Sequence, residues 1–170
     1  MNKRILLYGF GPYRGFRKNI TERIIRSFPR RPGLKKLVFA VRFQRRQFVD
    51  ALVRCKPDIV LGLGQSTRRG IEVESRGVNH RRASRSAKRR AIFSMEPRQL
   101  STTLKFKTGR WARISRNAGD YVCNYSIYVM LREIRRRRLP ARFSFIHIPH
   151  DYDETKGRCF VERVLRMTQR

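Results

Sequence analysis

Cysteine is scarce in this sequence, and so are acidic side chains and long apolar runs. The chain has three cysteines in 170 residues and no Cys-x-x-Cys pair, which argues against a disulfide framework and against a structural zinc site. The apolar run at 5–10 is too short for a signal sequence or a membrane span. Free thiols without a secretion signal predict a reducing compartment, so we expect a cytoplasmic protein.

Acidic residues number 12 against 42 lysines and arginines, which gives a formal net charge of +30. Such a balance predicts attraction to the phosphates of nucleic acid or to another polyanion, and it does not predict the fold. The alternative is an arginine-rich surface that only faces solvent. Arginines gathered on one face would favour a polyanion partner, and arginines on every face would favour the solvated surface.

Apolar stretches alternate with amphipathic ones through the first half of the chain. The predicted strands and helices lie at 5–8, 20–28, 37–41, 45–55 and 58–63. Strands that alternate with helices predict an α/β sandwich. Glycine-rich loops follow the first and third strands, at 9–16 and 64–70, and ligand sites in such folds gather at the carboxyl ends of strands. We find no internal repeat and no linker, so residues 1–170 are expected to form one domain.

The second half of the chain combines further strands with a strongly basic segment. Strands are predicted at 71–79, 103–106, 112–115 and 143–149, and a last helix follows Asp153. Alternation in the first of these strands puts Glu72 and Glu74 on one side. Residues 80–98 carry many arginines and little apolar surface, which predicts a mobile basic loop.

A turn of small residues at 117–124 leads into an apolar helix and places Cys123 in its first turn. Unpaired N–H groups and a partial positive charge at a helix start make a thiol ionise more readily, and the thiolate is the nucleophile. His147 lies near the end of a strand, and Glu74 is available to orient it. Together the three form a complete nucleophilic set. The residues alone leave open that Cys123 is a buried small side chain and His147 a core residue.

Five motifs in the same order make this chain resemble the pyroglutamyl peptidase I family of cysteine peptidases. They are Gly9–Tyr13, Val60–Gln65 with Arg69, Glu74 with Asn79, Asn117–Asn124, and Phe145–Pro149. The resemblance implies a three-layer αβα sandwich with a mixed, mainly parallel sheet. It also implies removal of an N-terminal pyroglutamyl residue from peptides through a thioester. We expect no cofactor and no metal, and a homo-oligomer stays open.

The resemblance also implies roles for individual residues. Cys123 is the expected nucleophile, His147 the base, and Glu74 the acid that orients His147. The residues expected to contact the pyroglutamyl ring are Phe10, Tyr13, Gln65, Tyr121 and Val122.

The chain departs from the family pattern around this pocket. A DARIPDN-like stretch of the family is replaced by residues 81–87, which makes Arg85 a wall residue, and Asp120 stands in place of a threonine. The chain is also shorter than the family between residues 90 and 117. These departures leave the three catalytic positions intact. They keep an alternative function open, in which a catalytically weak or inactive family member serves as a basic nucleic-acid or ribonucleoprotein binding module.

Overall fold

The computed structural model describes residues 3–13, 15–84 and 86–169. The strands are β1 (Ile5–Phe10), β2 (Leu34–Phe39), β3 (Ile59–Ser66), β4 (Ile71–Glu74), β5 (Arg76–Val78), β6 (Gln99–Ser101), β7 (Ala112–Ser115) and β8 (Arg142–Pro149). The helices are α1 (Ile20–Ser27), α2 (Arg45–Cys55), α3 (Val122–Arg136) and α4 (Glu154–Gln169). Six strands form one sheet in the order β2-β1-β3-β8-β4-β7, and β5 pairs separately with β6.

The central sheet is mixed and mainly parallel. Strands β2, β1, β3 and β8 run parallel to one another, whereas β4 is antiparallel to β8 and parallel to β7. Helices cover both faces of this sheet, which confirms the predicted three-layer α/β fold. Within the described residues, no helix has the length and apolar character needed to cross a bilayer.

Alternate side chains of the central strands enter two separate cores. Tyr8 of β1 and Phe145 of β8 pack with α2 and α3 on one face. Leu7 and Ile146 pack with α1 and α4 on the other face. Strand β3 is buried on both faces, which explains its continuous apolar sequence. His147 alternates with Ile146, so it lies on the α3 face of the sheet.

One predicted strand is divided into two, and another is wrong. The strand predicted at 71–79 breaks at Ser75, whose N–H donates to Ser115 O at 2.8 Å, and the chain then leaves the central sheet as β5. Residues 103–106 form no strand. Because β4 ends opposite Phe145, the backbone of Phe143 lies beyond it, and its carbonyl accepts the N–H groups of Thr103 and Leu104 instead.

The basic segment 80–98 contains no helix among its described residues, and two side chains from outside the segment hold its second part. The Asn79 side chain accepts the N–H groups of Ile92 and Phe93 at 3.0 Å and donates to Phe93 O at 2.8 Å. Tyr128 of α3 donates its hydroxyl to Pro97 O at 2.5 Å. The mobility of this segment stays a prediction. The predicted wall residue Arg85 lies outside the described residues.

Candidate active site

Residues from three distant parts of the sequence meet near the carboxyl ends of β1, β3 and β8. Cys123 is the second residue of α3, His147 lies near the end of β8, and Glu74 is the last residue of β4. In the antiparallel pair of β4 and β8, Glu72 lies opposite His147 and Glu74 opposite Phe145. Alternate residues of a strand share a face, so both carboxylates lie on the side of the sheet that carries His147.

The buried pair of His147 and Glu74 forms the inner part of the site. His147 Nδ1 donates to Glu74 Oε1 at 2.8 Å, and the two residues are 5% and 0% exposed. Burial alone lowers the pKa of His147, but the hydrogen bond and charge of Cys123, followed by those of Glu74, raise this pKa to about 9. The imidazole therefore lies between a thiol and a carboxylate. Since Nδ1 is bonded to Glu74, Nε2 is the nitrogen left for the thiol.

The start of α3 is fixed by a buried amide next to the cysteine. The helix begins after the extended residue Tyr121, and no side-chain hydrogen bond caps it. Its first N–H groups therefore have no acceptor within the helix. Asn124 is fully buried and bonds to both backbone groups of Val78 and to His80 O, each at 2.8 Å. These bonds hold the first turn, and Cys123 with it, against β5.

A cavity of about 200 Å³ contains both Cys123 and His147 in its lining. The five residues predicted to contact the substrate line the same cavity: Phe10, Tyr13, Gln65, Tyr121 and Val122. The rings of Tyr13 and Tyr121 lie 6.5 Å apart between centroids. Aromatic walls around a small volume suit a flat, neutral ring.

Gln65 supplies this cavity with a hydrogen-bond donor. Its Oε1 accepts the N–H of Ile20, the first residue of α1, at 2.9 Å. Its Nε2 is buried and has no partner among the described residues. An unpaired buried donor is costly, and such groups are frequently completed by a ligand or water.

Sequence reasoning missed the part that Asn19 plays in the cavity. Asn19 caps α1, because its Oδ1 accepts the N–H of Thr21 at 3.0 Å. Its Nδ2 also donates to Gly11 O at 3.0 Å, and the residue lines the cavity. An amide residue directly before a predicted helix was the available signal for this second role. Its bonds to Gly11 and Thr21 connect the loop after β1 with α1.

Asp120, a departure from the family pattern, also lines the cavity. Its carboxylate pairs with Arg82 at 3.0 Å and Arg89 at 3.3 Å, so two arginines of the basic segment reach this side of the site.

A second carboxylate lies close to the histidine but is occupied by arginines. Donor atoms of Glu72, Glu74 and His147 lie within 4.8 Å of one another, which is a spacing that a metal ion can use. Glu72, however, pairs with Arg68 at 2.8 Å and with Arg113 at 2.7 Å. A cation would have to displace both guanidinium groups, so the arrangement fits the orientation of His147 better than metal binding.

A thiol at a helix start, beside a buried histidine that a carboxylate orients, defines the class of cysteine hydrolases. Similarity to known proteins identifies the family within this class. A family model described as pyroglutamyl peptidase matches residues 3–156. A pyrrolidone-carboxylate peptidase of Thermococcus litoralis is 28% identical over an alignment of 181 positions, gaps included, which covers 94% of this chain and 82% of the relative. One from Erwinia tasmaniensis is 31% identical over 169 residues, covering 87% and 78%.

Solved structures show the same fold. A pyrrolidone carboxyl peptidase from Thermococcus litoralis has a TM-score of 0.88 at 24% identity, covering 98% of this chain and 93% of that one. A mutant pyrrolidone carboxyl peptidase from Pyrococcus furiosus has a TM-score of 0.85, also at 24% identity, covering 96% and 97%. The chain belongs to the pyroglutamyl peptidase family, whose members are cysteine peptidases, as its motifs predicted.

Proposed function

We propose that this protein removes the N-terminal pyroglutamyl residue from peptides, with Cys123 as nucleophile, His147 as acid and base, and Glu74 as the residue that positions His147. The observation that carries this proposal is the 2.8 Å bond between His147 Nδ1 and Glu74 Oε1, in a buried site next to the thiol. His147 Nε2 takes the thiol proton, and the thiolate attacks the carbonyl carbon of the pyroglutamyl residue. N–H groups in the first turn of α3, including that of Cys123, stabilise the resulting oxyanion.

The second half of the reaction uses the same proton carrier. The imidazolium of His147 gives its proton to the departing amine as the C–N bond breaks, which leaves a thioester on Cys123. A water molecule, deprotonated by His147, then attacks the thioester and releases pyroglutamate and the free thiol. Throughout, Glu74 keeps His147 Nδ1 protonated and stabilises the imidazolium form.

The cavity walls account for the choice of a neutral ring. Phe10, Tyr13 and Tyr121 present apolar surfaces, and Gln65 Nε2 offers an unpaired donor that matches the ring carbonyl of pyroglutamate. Proline has the same ring size but lacks that carbonyl, so it would leave the buried donor unpaired. This mismatch favours pyroglutamyl over prolyl substrates.

The first experiment is hydrolysis of a pyroglutamyl fluorogenic amide by the reduced protein. We expect turnover that Cys123→Ala abolishes and that Cys55→Ala retains, because Cys55 lies outside the cavity. The matched prolyl amide should be hydrolysed far more slowly. Undiminished turnover by Cys123→Ala would reject the proposed nucleophile, and no turnover by a folded, reduced sample would reject the function.

Because the nucleophile must stay reduced, we also infer a cytoplasmic location.

A second candidate function is nucleic-acid binding, which is favoured by a cluster of arginines around one buried carboxylate. Glu133, which is 0% exposed, accepts hydrogen bonds at 2.8–3.1 Å from Arg45, Arg132, Arg136 and Arg137. Burial raises the pKa of Glu133, but the arginines outweigh this effect and lower it to about 2. The cluster carries more positive charge than the carboxylate balances, and fixed guanidinium groups suit phosphate oxygens.

A salt-dependent titration with fluorescent single-stranded RNA tests this second function. The slope of log K against log salt is negative, and we expect the double variant Arg136→Gln, Arg137→Gln to reduce its magnitude by about 0.7 for each lost phosphate contact. The control is the double variant Arg30→Gln, Arg166→Gln, which removes the same charge from the exposed surface on the α1 and α4 side. Equal losses in both variants would indicate diffuse attraction and would reject a site at the cluster.

A further inference from the structure

A second cavity, of about 450 Å³, adjoins the cavity that contains Cys123. The two share Tyr13, Gln65, Ala118 and His147 in their linings. The remaining residues of the second cavity are Phe16, Ser66, Thr67 and Arg68. Cys123 lines only the first cavity and His147 lines both, so the imidazole lies at the boundary between them.

The position of His147 determines which part of a substrate each cavity receives. This step rests on the proposed function. The pyroglutamyl ring must lie in the first cavity, because the Cys123 thiol attacks its carbonyl. His147 then protonates the amine that departs, so the departing peptide begins beyond the imidazole. The second cavity is therefore the place for the residue that follows pyroglutamate.

We propose that the second cavity binds this following residue and that Arg68 selects a carboxylate side chain there. Among the described residues that line the cavity, Arg68 is the one that carries a permanent charge. In the first cavity, the carboxylate of Asp120 is already paired with Arg82 and Arg89. A peptide that begins with a neutral ring and continues with aspartate or glutamate would match the apolar walls of the first cavity and the guanidinium group of the second.

Arg68 is held in place without being neutralised. Its guanidinium donates to Glu72 Oε2 at 2.8 Å, and Arg113 donates to the other oxygen of Glu72 at 2.9 Å. Two cations thus share one carboxylate that is 3% exposed, and a positive charge remains beside the cavity. The Arg68 side chain is itself 37% exposed, which leaves it accessible to a bound carboxylate.

Ser66 adds a polar contact on the same side of the site. Its hydroxyl oxygen is buried and has no partner among the described residues, and Ser66 lines the second cavity but not the first. A hydroxyl both donates and accepts, so it suits the backbone of a departing peptide. The cavity therefore offers one group for the backbone and one for an acidic side chain.

The test compares two isosteric peptides, pyroglutamyl-glutamyl-alanine amide and pyroglutamyl-glutaminyl-alanine amide, by chromatography of the products. Because Arg68 is partly exposed, we expect kcat/KM to favour the glutamyl peptide by about threefold to tenfold at low salt, mostly through KM. The ratio should approach one in Arg68→Gln and stay above one in Arg68→Lys. Arg166→Gln removes the same charge from α4 and should leave the ratio unchanged.

Each outcome separates this inference from the function on which it rests. Equal hydrolysis of the two peptides by the wild type, or an unchanged ratio in a folded Arg68→Gln variant, overturns the selection of a carboxylate while the peptidase stands. Hydrolysis of neither peptide overturns both. A ratio that falls equally in Arg166→Gln attributes the preference to the net charge of the protein and overturns the role of Arg68.

Discussion

Replacing Glu74 by glutamine should shift the pH dependence of hydrolysis in a defined direction. Glutamine keeps the size of the side chain and an oxygen that accepts from His147 Nδ1, but it removes the negative charge. The imidazolium exists below the pKa of His147 and disappears as the pH rises through it. Since Glu74 raises this pKa, its loss must move the alkaline limb of the activity profile to lower pH.

The size of this shift follows from the buried geometry. The pKa of His147 is about 9 against an ordinary value of 6.5, so at about 1.4 kcal/mol per pH unit the folded protein favours the imidazolium by about 3 kcal/mol. Cys123 contributes more of this effect than Glu74 does. We therefore expect Glu74→Gln to lower the limb by about one pH unit, which lowers kcat/KM at pH 10 by about tenfold and leaves it nearly unchanged by this effect at pH 7.

The assay is kcat/KM for a pyroglutamyl amide between pH 5 and 10, measured for the wild type, Glu74→Gln and Glu72→Gln. Glu72 lies on the same face and opposite His147, but two arginines balance its charge, so its replacement should move the limb less. An alkaline limb that stays in place in Glu74→Gln would show that Glu74 does not act through His147. An equal shift in both variants would refute a specific role for the 2.8 Å bond.

Three further predictions concern the surroundings of the site and the stability of the fold. A Cβ at Gly64 would lie 2.8 Å from His147 Cδ2. Gly64→Ala should therefore displace the imidazole and lower kcat by about tenfold or more. An unchanged kcat would contradict the close packing of Gly64 against His147. Asn124→Ala removes three bonds of a buried amide and should lower the free energy of unfolding by about 2–3 kcal/mol in urea titrations, whereas a change below about 0.5 kcal/mol would refute the anchoring role. Glu133→Gln should cost about 3 kcal/mol in the same measurement. The folded pKa of Glu133 lies below its ordinary value. Its contribution to the free energy of unfolding is therefore present above about pH 4.5 and is lost as the pH falls toward about 2. The Glu133→Gln variant should lack this part of the pH dependence when it is unfolded by acid.

Much of the active site could be predicted because its residues occur in short local patterns. Cys123 follows a small-residue turn, and the apolar helix after it confirms the predicted position in a first turn. Helix α2 was predicted with its observed bounds, Arg45–Cys55, since its apolar positions are helically spaced and Lys56-Pro57 stops it. These features depend on neighbours within a few residues, which a sequence displays directly.

Features that depend on distant partners could not be predicted in the same way. The break at Ser75 is fixed by backbone bonds to Ser115 and Thr102, which lie 40 and 27 residues further along the chain. Arg68 falls in the loop predicted at 64–70, but its ion pair could not be predicted, because the acceptor Glu72 is shared with Arg113 from an edge strand. Tertiary pairing of this kind overrides local pattern.

The uneven use of acidic residues has a consequence for how the sequence can change. Three of its 12 acidic side chains, at positions 72, 74 and 133, are buried and each contacts a histidine or arginines. Arginines are plentiful, and several of them share one acceptor, so the loss of one leaves others in place. A survey of single substitutions should therefore find tolerance at most arginine positions and intolerance at these three glutamates. In a chain of this charge, the few buried glutamates are therefore under stronger selection than the many arginines around them.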